Sequence, residues 1–437
     1  MPSPSDGVEP TRVAGPDQHV RKSILFLSIM DFTDKGIQVV KLTPAYFASK
    51  GWAVHYVVAR DCSKTGSYHY QNAVNPENIR VHRAEMPTAK IFERLANHTL
   101  ATIYSKLRGY AAIAKMAWMG YRVVRNNKID AIYGGGPHGA LAANILNAVC
   151  ARRRFVTVAR FYGVWDLYTT AIRERRWVEL ALNFDVLAAL YLRTSLKIIT
   201  NDGTQGNKAL GWIRSRSLET LRFYVNGVDK PAIDPEEVRQ LKTALLTGDN
   251  FVALCITRLV STKRIDRCIW VAATAVHSQG MRELRLIIVG DGPERLRFEQ
   301  LARDLDVTNH VVFTGAVDNR QVKNYLALAD VFLSMYDVSN VGNPLLEAIR
   351  ANKIIFTLDN GDTASWIRHG TNGFIYKVDD SMIERMARDL ASLAHNPPLQ
   401  DTIKRNIKAT ESEKLWTWDE RLAAEFSDIA QLVGEGT

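Results

Sequence analysis

Short apolar runs alternate with segments of helical periodicity along most of the chain, and this alternation predicts parallel strands joined by helices. The run KSILFLSI predicts a buried strand, and IQVVKLTPAYFASKG predicts a helix that stops at Gly51. The strand WAVHYVVA follows and completes a strand, helix and strand unit. Such units in series are typical of a doubly wound α/β sheet.

The alternation continues in two series, which predict two doubly wound α/β domains in tandem. Further strands of the first series are IRVHRAE, IDAIYGG, RFVTVARFYG, LKIITND and RFYVNGVD, with helices at 91–127 and over HGALAANILNAVCARR. Strands of the second series are FVALCIT, LRLIIVG, HVVFTGAV, ADVFLSM, NKIIFTL and GFIYKV. Its helices are predicted near 265–279, 293–305, 320–328, 344–351 and 382–394.

The breaks between these series predict four segments, 1–20, 21–235, 236–405 and 406–437. The first holds four of the 14 prolines and is predicted to be a flexible tail. The second and third are the two domains. The last segment is helical, and its final helix opens with a capping box in which Thr417 and Glu420 satisfy each other's backbone N–H groups.

Composition fits this organisation, because 437 residues with 46% hydrophobic and 23% charged residues suffice for two cores. The chain has no run of 18 apolar residues, and its first segment lacks the apolar core of a signal peptide, so we expect a cytoplasmic protein. The four cysteines, Cys62, Cys150, Cys255 and Cys268, are widely scattered, which favours reduced structural thiols over a metal site.

The positive charge of the chain is concentrated in one region. The net charge is +10, and residues 81–180 alone hold 16 Lys and Arg against 6 Asp and Glu. Within them, residues 97–128 combine helical apolar spacing with six cations and no acid, which predicts an interfacial helix on anionic lipid. The alternative is a solvated basic face. We expect an anionic membrane surface and no nucleic acid as partner, so the protein would be peripheral on the inner face of the membrane.

Ligands of open α/β sheets bind beyond the carboxyl ends of the strands, and two loops there carry candidate chemistry. ITRLVSTKRID contains Arg258 and Lys263, which together could clamp a diphosphate or, alternatively, be ordinary surface charges. IVGDGPERLRF places Gly290 and Gly292 before Pro293, which would allow backbone N–H groups to face a ligand, although such residues also mark plain turns.

The stretch YDVSNVGNPLLEAI, 336–349, is a third loop of this kind. A helix starting there would direct its positive dipole end and unpaired N–H groups toward the same cleft. Glu347 inside this helix suits the hydroxyls of a ribose, or alternatively satisfies the helix N-terminus. The remaining candidate donor-binding residues of the stretch are Asp337, Ser339, Asn340, Gly342, Asn343 and Leu345.

These motifs, in this order and followed by HGTNGFIYKVDD, resemble the second domain of the GT-B glycosyltransferases, the family 4 retaining group that uses nucleotide-sugar donors. The segment VNGVD also resembles that family, and the matches together cover about residues 225–380. Over 21–200 the similarity is one of architecture and a few loops. The resemblance implies two Rossmann-like domains facing a central cleft, with a C-terminal helix packed back on the first domain.

The resemblance also implies roles for the candidate residues. Arg258 and Lys263 take the place of the family's diphosphate-binding pair, and Glu347 that of the glutamate that holds the donor ribose. Ser339 stands where the family has its first motif glutamate, which is a departure. Either Asp337 substitutes for that carboxylate, or Ser339 and its neighbour Asn340 contact the sugar as neutral partners.

In the first domain two residues resemble functional positions of the family. His138 follows a strand and three glycines in IYGGGPHGALAANI, a place that resembles the family's histidine facing the reacting sugar. A structural histidine is the alternative. Gly36, in the loop after the first strand, resembles the glycine stretch beside donor phosphate and acceptor.

The expected function is therefore retaining transfer of a sugar from a UDP- or GDP-sugar to a saccharide or lipid-linked saccharide, in polysaccharide or glycolipid synthesis. Neither a metal ion nor another cofactor is expected, because the departing diphosphate itself can assist the acceptor hydroxyl. A nucleotide-sugar epimerase and a non-enzymatic carbohydrate-binding protein are the alternatives. A nicotinamide dehydrogenase is disfavoured, since no G-x-G-x-x-G follows the first strand.

Overall fold

The computed structural model describes residues 21–32, 38–61, 73–86, 99–164, 167–214, 220–246 and 248–435. The predicted flexible tail, Gly36 and Cys62 lie outside these ranges. Within the described ranges, no helix is both long enough and apolar enough to cross a membrane.

The first domain is built on a seven-stranded parallel sheet with the order β3-β2-β1-β4-β5-β6-β7. Its strands are β1 (Ser23–Ser28), β2 (Ala53–Asp61), β3 (Ile79–Met86), β4 (Ala131–Gly135), β5 (Val156–Phe161), β6 (Leu196–Thr200) and β7 (Leu221–Tyr224). Each coincides with a predicted strand. The order reverses between β1 and β4, which places the switch point of the sheet there.

The second domain has a six-stranded parallel sheet with the order β10-β9-β8-β11-β12-β13. Its strands are β8 (Phe251–Ile256), β9 (Leu284–Val289), β10 (Val311–Gly315), β11 (Val331–Ser334), β12 (Ile354–Leu358) and β13 (Phe374–Tyr376). Here the switch point lies between β8 and β11. The two doubly wound domains of the prediction are confirmed.

Helices cover both faces of each sheet. Those of the first domain are α1 (Gln38–Ser49), α2 (Thr99–Asn126), α3 (Gly136–Val149), α4 (Trp177–Leu182), α5 (Phe184–Tyr191) and α6 (Gly206–Trp212). Those that follow are α7 (Pro235–Leu245), α8 (Ile265–His277), α9 (Arg295–Asp304), α10 (Val322–Leu328), α11 (Asn343–Arg350), α12 (Met382–Ala394), α13 (Pro397–Lys414) and α14 (Trp418–Glu435). Helix α13 runs without a break through residue 405.

Helices α4, α5 and α6 have no counterpart in the sequence-based prediction, and α13 begins before the predicted helical segment 406–437. Helices α4, α5 and α6 span only six to eight residues, too few to establish a 3.6-residue period. Helix α13 buries only Ile403, Ile407 and Glu411. Such a narrow stripe on an otherwise polar helix gives a weak hydrophobic signal.

Successive residues of β1 face opposite helical layers. Leu25 and Leu27 pack with α2 and α3, whereas Ile24 and Phe26 share a core with α1 and α14. The α2 and α3 layer continues through α4, α5 and α6 over the far half of the sheet. One side of the first sheet is therefore covered by α2 to α6, and the other side by α1 and the C-terminal helix.

The C-terminal helix α14 returns to the first domain, as predicted. Its capping box is formed, because the Thr417 N–H donates to a Glu420 carboxylate oxygen at 2.7 Å and the Glu420 N–H to the Thr417 hydroxyl at 3.2 Å. Phe426 packs against Phe47 with ring centroids 5.0 Å apart, and Ile429 is fully buried in the core of the first domain. This return ties the end of the chain to its beginning.

Candidate functional site

The turn after β8 presents two cations at the switch point of the second sheet. The ammonium of Lys263 lies 3.7 Å from the centre of the Tyr336 ring, which directly follows β11, so the two switch-point loops touch. Burial and the neighbouring Arg258 lower the pKa of Lys263. In the described part of the chain neither cation forms an ion pair, and Arg258 is exposed. Two like charges on one turn, neither of them in an ion pair within the described residues, favour an anionic ligand.

The glycines of the GDGP loop support this turn from behind. A Cβ on Gly290 would lie 1.8 Å from the Thr257 carbonyl oxygen, and one on Gly292 would lie 2.4 Å from that of Leu259. Only glycine permits such backbone contact on either side of Arg258. The N–H of Gly290 donates to the Gly315 carbonyl at 2.9 Å, and that of Gly292 to Asp291 at 2.8 Å. Both donors are thus engaged within the protein, and the predicted ligand contact of these glycines stays a prediction.

The predicted helix after β11 is present as α11, with Gly342 at its N-cap. The first N–H groups of a helix have no partner within it. Pro344 has no N–H, so the groups of this kind at the start of α11 are those of Asn343 and Leu345. The Leu345 side chain is buried in the core, so only its backbone can contact a ligand. The Asn343 side chain accepts a hydrogen bond from Asn226 at 2.8 Å.

Glu347 lies one turn inside α11 and lines a cleft of about 370 Å³. The cleft extends along the segment Gly227–Pro231 and the start of α10, and it includes Lys323 and Trp418. Within the described residues, the Glu347 carboxylate accepts no hydrogen bond, so it does not serve the helix N-terminus. Burial raises its pKa to about 7. A desolvated carboxylate without donors at the wall of a cleft is suited to receive the hydroxyl groups of a ligand.

The loop before α11 is shaped by its own polar side chains. Asn340 is fully buried, and its side-chain oxygen accepts from the Tyr336 N–H and the Ser334 hydroxyl, each at 2.8 Å. Asp337 forms ion pairs with Arg264 at 3.2 Å and with Arg267 at 2.8 Å. These bonds direct both side chains into the loop and toward α8. Their contacts with the sugar stay predictions.

Ser339 takes part in a contact between the two domains. Its hydroxyl donates to the carbonyl of Asp202, just after β6, at 2.8 Å. The Asp362 N–H donates to the Gly203 carbonyl at 3.1 Å, and the Gln205 side chain donates to the Asp362 carboxylate at 2.9 Å. We call residues 202–205 with 339 and 361–362 the interdomain latch.

The latch has room only for small side chains at its centre. A Cβ on Gly203 would lie 2.1 Å from the Ser339 hydroxyl oxygen, and one on Gly361 would lie 2.1 Å from the Gly203 carbonyl oxygen. A glutamate side chain at 339 has three more heavy atoms than serine and would enter this contact. The latch therefore gives a physical reason for serine at this position.

Ser339→Ala is expected to lower the free energy of unfolding by about 1 kcal/mol, because the Asp202 carbonyl loses a part-buried donor. The measurement is the urea midpoint of the purified protein. Ser412→Ala is the matched control, since its hydroxyl bonds the Lys408 carbonyl on an exposed face of α13. Equal midpoints for the two variants would contradict a stabilising latch.

His138 lies in the first turn of α3, in the domain that is predicted to bind the acceptor. Its Nε2 is 3.9 Å from the buried carboxylate of Asp185, and a Cβ on Gly109 would come within 2.7 Å of it. Burial lowers the pKa of His138, so the imidazole is neutral at pH 7. The ring lines a cavity of about 130 Å³ with Ser105 and Arg108 of α2.

The structure thus groups the candidates into three places. Arg258 and Lys263 share one turn, Glu347 lies in the cleft beside α10, and His138 faces a separate cavity of the first domain. Residues 202–205 of the latch were not predicted, although NDGTQG follows a strand directly, which is the signal that marked the other loops. Asn226, whose side chain bonds that of Asn343, was also not predicted as a site residue, although the segment VNGVD that contains it was noted.

Comparison with known proteins gives this geometry a context. Residues 239–410 match the family model of the glycosyl transferases group 1. The chain is 27% identical, over 62% of its length and 68% of the relative's, to the GDP-mannose-dependent alpha-(1-6)-phosphatidylinositol monomannoside mannosyltransferase of Mycobacterium tuberculosis. It is 26% identical to the alpha-monoglucosyldiacylglycerol synthase of Acholeplasma laidlawii, over 41% of this chain and 44% of that one.

Among solved structures, Anabaena HepE in complex with UDP-glucose superposes with a TM-score of 0.63 at 19% identity, covering 94% of this chain and 99% of that one. At this identity the likeness shows the fold alone, and it extends over both domains. Together with the two parallel sheets and the returning helix, it confirms the predicted architecture. The chain has the GT-B fold, and its residues 239–410 match the glycosyl transferases group 1 family.

Proposed function

We propose that this protein transfers a sugar from a nucleoside-diphosphate sugar to a saccharide or lipid-linked saccharide, with retention of configuration. The observation that carries the proposal is the unpaired, desolvated Glu347 in its cleft, with the unpaired cations Arg258 and Lys263 on the neighbouring loop. A donor of this class offers both partners at once, a ribose diol and a diphosphate.

The chemistry follows from where charge develops in such a transfer. As the bond from the sugar to the diphosphate breaks, negative charge grows on the diphosphate, and Arg258, Lys263 and the start of α11 stabilise it. Glu347, once deprotonated, accepts hydrogen bonds from the two ribose hydroxyls. The acceptor oxygen bonds to the anomeric carbon on the face that the diphosphate leaves, and a diphosphate oxygen takes the proton of the acceptor hydroxyl. Protein side chains supply the stabilisation in this proposal, and no metal ion or other cofactor takes part.

The names of the relatives support the donor and acceptor classes. The mycobacterial relative is named for GDP-mannose and a phosphatidylinositol mannoside, and the Acholeplasma relative for a glucosyldiacylglycerol. HepE was crystallised with UDP-glucose. UDP or GDP is therefore the nucleotide that we propose, with an acceptor used in glycolipid or polysaccharide synthesis at the inner membrane surface.

The test is a thermal-shift and hydrolysis screen over UDP-, GDP-, ADP- and TDP-sugars. A donor at saturating concentration is expected to stabilise the protein by roughly 3 kcal/mol, which raises the unfolding temperature by several degrees. Turnover is expected to persist in EDTA, and NMR of the product would report the retained anomer. Absence of a shift with all four nucleotides would refute the proposal. Conversion of the donor sugar without an acceptor would instead favour the epimerase.

A further inference from the structure

Helix α2 carries an apolar stripe on its outer face. Its members are Ile103, Leu107, Tyr110, Trp118 and Tyr121, all exposed. Their spacing keeps them within one side of a helix with 3.6 residues per turn. The opposite side of α2 supplies Ile113 and Met116 to the core of the first domain. Helix α2 is therefore apolar toward the core and also toward the outside, which is unusual for a surface helix.

A groove beside the stripe deepens this surface. It has a volume of about 390 Å³ between α2 and α3. Its lining is entirely apolar and consists of Ala114, Ala117, Trp118, Tyr121, Ile145, Leu146 and Val149. Trp118 is 57% exposed and Val149 is 65% exposed. A groove of this kind accepts hydrocarbon without leaving a polar group unsatisfied.

The neighbouring helices extend the same face. Trp177 and Phe184 are each 65% exposed and Val178 is 75% exposed, on α4 and α5. Helix α5 packs beside α3, and an ion pair of 3.0 Å between Lys106 and Asp185 joins it to α2. Of the 18 large apolar side chains that are exposed in the described residues, 12 lie on α2 to α5. We call this outer surface of α2 to α5 the apolar face.

Positive charge accompanies the apolar face. Helix α2 has five Lys and Arg and no acid, and the Arg122 guanidinium lies 5.0 Å from the Trp118 ring centre. The segments 152–154 and 173–176 add six arginines next to α3 and α4, of which Arg173 and Arg176 pair with Glu174 and Glu179. Two copies of a basic face repel each other, whereas anionic lipid headgroups attract it. Tryptophan and tyrosine with arginine are also the side chains that favour the boundary between headgroups and hydrocarbon.

We infer that the apolar face of α2 to α5 docks the protein on an anionic membrane surface, with Trp118 and Trp177 inserted among the lipids. The sequence alone pointed to residues 97–128, whereas the structure joins three further helices to them. The aromatic side chains supply apolar area and the arginines supply attraction to the headgroups.

Docking would also bring the acceptor cavity near the membrane. Ser105, Arg108 and Gly109 line the cavity of His138, so this cavity adjoins the helix that carries Trp118. A lipid-linked acceptor could then remain in the bilayer while its saccharide reaches His138. This consequence rests on the proposed function, whereas docking itself does not.

The test is flotation of the full chain with vesicles of phosphatidylcholine, with and without phosphatidylglycerol. Wild type is expected to float only with phosphatidylglycerol, and Arg122→Glu with Arg125→Glu is expected to weaken binding on the order of tenfold or more. Trp118→Glu with Trp177→Glu is expected to abolish it. The matched controls, Trp270→Glu on α8 and Arg388→Glu on α12, lie on the second domain and should float like wild type.

Unfolding temperature and donor-induced thermal shift are measured for every variant, so that a misfolded variant is recognised. Binding that ignores lipid charge, or that survives both tryptophan substitutions, would overturn the inference. So would a dimer in light scattering that Trp118→Glu dissociates, because the face would then be an interface between copies. Flotation requires no donor, so its failure is separate from failure of the proposed transfer.

Discussion

Arg258→Ala is expected to lower kcat by roughly 10²- to 10³-fold. This is the usual effect of removing one hydrogen-bond donor that points at the negative charge developing in the transition state. The guanidinium has no ion-pair partner within the described residues and is exposed. Its removal therefore takes away a ligand contact and little that stabilises the fold. Lys263→Ala is expected to reduce kcat as well, with some loss of stability, because the Lys263 ammonium packs on Tyr336.

The measurement is steady-state kinetics on the donor that the screen identifies, with unfolding temperatures recorded alongside. Arg388→Ala on α12 is the matched control, since it removes an exposed arginine of the same domain. A rise in KM at constant kcat would mean that Arg258 binds ground state and transition state alike. Unchanged kcat and KM would show that the turn after β8 does not contact the diphosphate.

Glu347→Gln is expected to stabilise the ligand-free protein at alkaline pH and to weaken donor binding. Burial raises the pKa of Glu347 from its ordinary 4.5 to about 7, so the native state holds this proton more tightly than the unfolded chain does. Ionisation therefore costs native stability, by about 3 kcal/mol once both states are deprotonated. The contribution of Glu347 to native stability is therefore highest below pH 4.5, falls as the pH rises toward 7, and is constant above it.

Glutamine does not ionise, so the variant should unfold at a higher urea concentration than wild type above pH 7, and the difference should shrink toward pH 4.5. Donor affinity should fall by roughly 10- to 100-fold, because this is the change in affinity expected when hydrogen bonds to a charged acceptor are weakened. Glu384→Gln, on an exposed position of α12, is the control. A pH-independent difference would mean that Glu347 ionises normally, and an unchanged donor affinity would remove it from the ribose site.

These two residues illustrate what could be read from the chain. Arg258 and Glu347 were located because each follows a strand of the second sheet. A strand that is buried on both faces is a continuous apolar run, so it can be recognised from the sequence alone. The glycines after β9 were located in the same way. The role of these glycines could not be predicted from the sequence. It depends on the Thr257 and Leu259 carbonyls, which come close to the glycines only when β8 and β9 pair.

The departure at Ser339 could be seen in the sequence but not explained there. Its partner Asp202 lies 137 residues earlier and belongs to the other domain. Nothing in the local pattern of either segment indicates that the two loops meet. Their contact depends on how the two sheets are oriented toward each other across the cleft.

The sequence by itself determined the two parallel sheets, the order of strands and helices along the chain, the capping box of the last helix and the loops that carry the site. Apolar periodicity and local hydrogen bonding encode these features within a few residues. Only the tertiary structure decided which polar groups find partners and which apolar side chains stay exposed. Packing brings distant segments together, so Lys263 rests on Tyr336, Glu347 has no donor in the described residues, and Trp118 and Trp177 stay exposed.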